Sequence, residues 1–194
     1  MIKKSNGLKN YFLSSSIRVI DPKVRENLLN YLFQCLLATS IILISLLFLD
    51  ILNETAIIAS LGATSFIVFA MPKTYASSPR RLIGGYIIGI SIGSICFYLG
   101  SINQIYFYTL FSTANLPIFF ASIAVGLSIF LMTITNTEHA PAAGIALGLV
   151  INQWDAKSIL FIIVVMLIMA TIRHVLNPYL INLTSPILNK TLKK

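Results

Sequence analysis

Charge is scarce in this chain. Only 10% of its 194 residues are charged and 57% are hydrophobic, with a mean hydropathy of +0.86, whereas a soluble domain carries roughly 25% charged residues. That deficit excludes an ordinary soluble globule and places the chain in a membrane. Cysteine is nearly absent as well. Cys35 and Cys96 each fall inside an apolar stretch, where they act as small hydrophobes, so neither a disulfide framework nor a cysteine metal site is expected. His139 and His174 do not stand at the spacing that puts two metal ligands on one helix face. There is no phosphate-binding loop and no Gly-x-Ser-x-Gly turn. We therefore expect neither an enzyme nor a cofactor. The N-terminal bases lack the short apolar core and small-residue cleavage site of a secretory leader, so a cleaved signal peptide is not expected.

What the chain does have is a series of long apolar segments, of helical rather than barrel length. They fall at about Leu28–Leu49, Thr55–Met71, Leu82–Leu99, Leu116–Ile134, Ala140–Ile151 and Lys157–Ile172. The expected fold class is an all-α membrane protein with six transmembrane helices over residues 28–183. A basic arm precedes it over 1–27 and a basic tail follows over 184–194. The arm interleaves its bases with Tyr11, Phe12, Leu13, Ile17 and Ile20, which suits either a surface-lying amphipathic segment or a cytoplasmic tail. If all six segments cross and the N-terminus is cytoplasmic, every Lys and Arg except Lys157 falls on the inner side. The positive-inside bias favours that arrangement, with both termini cytoplasmic in a bacterial-type plasma membrane. The net charge of +8 is then a topology signal and not a nucleic-acid footprint. Tyr106, Phe107 and Tyr108 in one connection, and Trp154 in another, read as interfacial aromatics.

Two segments are short. Ala140–Ile151 has 12 residues, about 18 Å as a helix against a hydrocarbon core of ~30 Å. It follows the polar run Thr135-Asn136-Thr137-Glu138-His139 and is marked by Pro141. The second segment contains Ser60-Leu61-Gly62-Ala63-Thr64-Ser65 and stops at Pro72. The order long, short, long occurs twice, which suggests a 3+3 inverted repeat. In that reading the two short helices point their N-termini at each other across the midplane. Their free amides would favour a small anion. Ser60, Gly62, Thr64, Ser65, Thr137, His139 and Gly144 are the candidate binding residues, with Thr135 as a further hydroxyl.

Each has a plainer alternative. His139 either binds substrate or a proton or stands at an interfacial helix start. Glu138 relays protons, caps a helix or sits in the headgroup layer. Arg80 and Arg81 fix topology or attract anions, and Arg173 snorkels or faces a pore. Gly85, Gly89 and Gly93 form a stripe that packs helices within the chain or between copies in a homo-oligomer.

Three motifs together resemble the HPP family of integral membrane proteins, named for a His-Pro-Pro motif. The counterparts are His139-Ala140-Pro141-Ala142-Ala143-Gly144, Ser60-Leu61-Gly62-Ala63-Thr64, and Ser78-Pro79-Arg80-Arg81-Leu82-Ile83-Gly84-Gly85-Tyr86. Three positions depart from the family pattern: Ala140 replaces a Pro, Arg81 an Asn and Tyr86 a His. Members in plastids and cyanobacteria are associated with nitrite transport, so the resemblance implies a carrier or channel for a small monovalent anion. The competing readings are a non-transporting membrane scaffold and a channel for a cation or neutral solute. In the channel reading Glu138 and Asp50 would attract positive charge.

Overall fold

The computed structural model describes residues 23–49, 54–107, 116–152 and 154–184. The basic arm over 1–22, the tail beyond 184, Asp50 and Tyr108 lie outside them.

After a helical turn at Lys23–Glu26, six helices follow: α1 Leu28–Phe48, α2 Thr55–Ser65, α3 Pro79–Phe107, α4 Leu116–Ile134, α5 Ala140–Ile151 and α6 Ala156–Leu176. Four of them, α1, α3, α4 and α6, are long and apolar enough to cross a membrane. The two short helices run between the same two ends of the bundle.

Local chemistry explains the boundaries. α2 passes into a π turn over Phe66–Ala70 and cannot continue past Pro72. α3 starts at Pro79, a first-turn position where a missing N–H costs nothing. It begins earlier and ends later than the apolar run Leu82–Leu99 suggests. The helix continues through Gly100, which lies against the Phe120 ring of α4. Tyr106 and Phe107 are therefore helical, not part of a loop. α4 ends in a Schellman turn. Asn136 adopts φ 56°, Thr137 N–H donates to Met132 O at 2.9 Å, and Asn136 N–H to Thr133 O at 3.2 Å. Asp155 caps α6 in a capping box with Ser158. α6 runs one turn beyond Ile172, which takes Arg173 and His174 into the helix.

α3 lies along both α4 and α5. A Cβ on Gly85 would lie 2.8 Å from His139 Cβ, one on Gly89 would strike the Ala142 carbonyl, and one on Gly93 would lie 2.9 Å from Ala146 Cα. The glycine stripe is therefore covered by α5 within the chain. The same order of contacts makes α3 and α5 parallel.

The described bases Lys73, Arg80, Arg81 and Arg173 gather at one end of the bundle. The connection from Met71 to Ser78, the turn before α5 and the end of α6 meet there. Lys157 lies at the other end, beside Trp154 and Glu54. This separation follows the charge asymmetry of the sequence.

Candidate functional site

The sequence expectation that the two short helices point their N-termini at each other does not hold. α2 and α5 lie side by side and antiparallel. Thr64 meets His139, Ser60 fills the space beside Gly144, and Ile57 packs on Gly148. The N-termini are thus about 13 Å apart along the shared axis, nine residues at 1.5 Å each. The reason is glycine placement. Gly144 and Gly148 bare one side of α5 to α2, while Gly85, Gly89 and Gly93 bare α3 to α5. A helix seated in two such seams is held along its full length rather than at its tip.

What α5 places beside its own N-terminus is a buried polar chain. His139 is the N-cap, extended at φ −137° and ψ 94°. Its side chain turns inward and is 0% exposed, as are Thr64 and Tyr86. His139 Nδ1 lies 3.3 Å from Ala76 O and its Nε2 3.1 Å from Thr64 Oγ1. Thr64 Oγ1 lies 2.8 Å from Tyr86 Oη.

One assignment of protons satisfies every group. Nδ1–H donates to the Ala76 carbonyl, which leaves Nε2 as an acceptor. The Thr64 hydroxyl donates to Nε2, and the Tyr86 hydroxyl donates to Thr64. The imidazole is then neutral. A charged imidazole would donate from Nε2 to Thr64 Oγ1 and leave one hydroxyl proton, that of Thr64 or of Tyr86, without a described acceptor.

A cationic cap covers this chain at the basic end. Arg81, 5% exposed, makes a salt bridge to Glu138, which is 44% exposed, and donates to Asn136 Oδ1. Its guanidinium lies 3.1 Å from the centre of the Tyr75 ring. Tyr75 Oη donates to the same Asn136 oxygen at 2.7 Å. The αL turn at Asn136 holds that acceptor over the entrance to α5. The Tyr75–Ser77 turn separates His139 from Arg173, whose guanidinium donates to Pro72 O at 2.9 Å.

The candidate residues therefore divide. Thr64 and His139 come together, and Ser60 and Gly144 meet as a packing contact. The Ser60 hydroxyl donates to Ala56 O at 2.8 Å within its own helix. Ser65 does the same to Leu61 O at 3.1 Å, and with Gly62 it faces α1, away from His139. Thr137 Oγ1 bonds Thr135 Oγ1 at 2.8 Å while its methyl fills the space beside Gly84. Arg80 is exposed; Arg81 is the buried one.

Two participants were missed. Tyr86 was noted only as a departure from the family pattern, yet it closes the polar chain. Gln34, an amide in the middle of an apolar helix, is the kind of residue that marks a tertiary partner. It is buried, donates to Phe69 O and to Ile181 O (2.9 Å), and accepts from Ile181 N–H at 3.3 Å. Among the described residues no group of three His, Cys, Asp or Glu could hold a metal ion.

The model of the HPP transmembrane region matches residues 23–185. The chain belongs to the HPP transmembrane family. Within it, the His139, Ser60 and Arg80-Arg81 motifs occupy neighbouring positions at one end of the bundle. A transmembrane protein of Dictyostelium discoideum is 33% identical over 109 residues, 55% of this chain. The match spans 35% of that protein, so this HPP chain corresponds to about a third of its relative. No solved structure matches the chain.

Proposed function

We propose that this HPP protein carries a small monovalent anion, nitrite first among candidates, across a cytoplasmic-type membrane in six passes, without altering it chemically. The observation that carries the reading is the buried Tyr86–Thr64–His139 chain at the N-terminus of α5. Backbone amides there supply partial positive charge in a low-dielectric setting. The Arg81 cap lies directly above, and polar groups at this depth carry a functional prior. The nitrite assignment rests on the family resemblance.

In the conformation described, the three side chains satisfy one another and the site is closed. An anion enters when the Arg81 cap opens. It takes the place of the Thr64–His139 bond, accepting from the Thr64 hydroxyl and from the Nε2–H that His139 gains from an accompanying proton. It also accepts from the α5 amides other than Pro141, which has none, and Ala142, which donates to His139 O. Glu138 keeps Arg81 engaged while the site is empty. With the N-termini of α2 and α5 apart, one helix end does this work and not two.

The test is flux through proteoliposomes with nitrite, nitrate, formate and chloride, each with and without a pH gradient. Protein-dependent uptake of at least one anion is expected, and a gradient effect would identify proton coupling. The scaffold reading draws on the same closure, since a fully satisfied chain also suits a purely structural role. Equal permeability of loaded and empty liposomes to all four anions would favour it.

A further inference from the structure

A second site lies on the other side of α2 and does not depend on the transport reading. α1 and α2 separate to leave a groove of about 650 Å³, walled by Ala38, Ile42 and Leu46 from α1 and by Gly62, Phe66 and Phe69 from the α2 side. No charged side chain among the described residues lines it. It follows α1 from Tyr31 to Leu46, about 22 Å at helical rise, more than half of a ~30 Å hydrocarbon core.

The groove is finished differently at its basic end. Tyr31 Oη donates to Leu183 O at 2.7 Å, and Leu183 N–H donates to Ala70 O at 2.9 Å, so the strand of chain after α6 closes it off. Just beyond sits Lys73, exposed, with its backbone N–H on Asn182 Oδ1 at 2.8 Å. Its ammonium meets the neutral oxygens of Asn177, the amide one at 3.2 Å, and no carboxylate among the described residues. Lys23 and Arg25, with Glu26, stand in the turn that leads into α1.

We propose that this groove holds an acyl chain of an anionic phospholipid, with the phosphate at Lys73. Lipid tails are as apolar as leucine, so a helix from a second copy gains little there unless backbones approach closely. The bulky rim of Leu43, Leu46 and Phe66 prevents that approach. Uncompensated positive charge at one end of the groove selects a headgroup with net negative charge.

The experiment titrates the full chain in detergent with phosphatidylglycerol, phosphatidylcholine of identical acyl chains, and inorganic phosphate. Bound lipid is counted by native mass spectrometry. Phosphatidylglycerol should bind roughly fivefold tighter than phosphatidylcholine, as one uncompensated base would give, and phosphate should not bind. Lys73→Gln should remove most of that preference, and Ala38→Phe should displace both lipids by filling the groove. If Ala38→Phe does not fold, Gly62→Leu fills the groove from the opposite wall. Its Cβ would lie an ordinary 3.6 Å from Ile42 Cδ1. Equal binding of the two lipids, phosphate binding as tightly as phosphatidylglycerol, or undiminished binding to the filled variant would overturn the proposal. So would a dimer that Ala38→Phe dissolves without any change in lipid binding.

Discussion

The seam between α3 and α5 and the seam between α1 and α2 are built on opposite plans. At the first, glycines let the helices touch, and a Cβ added at Gly85, Gly89 or Gly93 meets the His139 Cβ, the Ala142 carbonyl or the Ala146 Cα below 3 Å. At the second, a Cβ on Gly62 would find ordinary van der Waals contact, and a groove remains open alongside. The close seam fixes a short helix so firmly that its N-cap histidine is held between the Thr64 hydroxyl, which bonds Tyr86 in turn, and the Ala76 carbonyl. The loose seam is anchored by polar clamps at the basic end, chiefly Gln34 and Tyr31, and leaves room along its length.

Several substitutions sharpen or break that contrast. The largest effect is expected for Gly89→Leu, which must push α5 off α3 and should cost about 3 kcal/mol or more, read as loss of monodisperse folded protein. Gly62→Leu should fold. The reverse order would break the comparison. Thr64→Val comes next. It keeps shape but leaves the His139 Nε2 without its donor and the Tyr86 hydroxyl without its acceptor, at about 2 kcal/mol. Ser65→Ala, one position along on the α1 side, should fall within about 0.5 kcal/mol. Unfolding in a graded detergent series measures both.

Gln34→Leu should cost about 1 kcal/mol and raise hydrogen exchange in α1 without raising it in α5. Equal protection loss in both helices would mean that the two seams are one cooperative unit.

The smallest effect is at the far end, where the Ser158 backbone N–H, 2.9 Å from Asp155 Oδ1, holds that carboxyl below its ordinary range. A depressed carboxylate adds stability above its unfolded pKa and loses it as pH falls through the folded value. Acidification below about pH 4 should therefore fray the start of α6 first. Asp155→Asn should remove that pH dependence in the exchange of α6 amides.

How far the sequence carries this account can be seen residue by residue. The start of α5 was legible because a polar run, an N-cap and Pro141 coincide there. The charge asymmetry was legible because bases cluster between apolar runs. Which face of α2 meets α5 was not, because Ser60, Gly62, Thr64 and Ser65 all look like binding groups in a linear reading. Only packing separates the 60/64 face from the 62/65 face. The extension of α3 past Gly100 was hidden for a related reason. The apolar run gives way at Leu99 to Gly100, Ser101, Asn103 and Gln104, and only the packing of Gly100 on the Phe120 ring shows the helix continuing. Tyr86 was invisible as a ligand because its partners stand 22 and 53 positions away in the chain, at Thr64 and His139. Arg81 was read together with Arg80, as a topology marker or an anion-attracting base. Three-dimensional placement alone shows that one is exposed and the other is the buried member of a salt bridge.

The central claim is that the tight seam holds the anion and the loose one does not. The most direct test compares nitrite uptake into proteoliposomes bearing wild-type protein, His139→Ala and Ser65→Ala, all verified as folded. The account predicts protein-dependent uptake that falls by roughly tenfold in His139→Ala, the worth of one lost buried hydrogen bond, and is unchanged in Ser65→Ala. Uptake equal in wild-type and His139→Ala, or lost in Ser65→Ala instead, would contradict it.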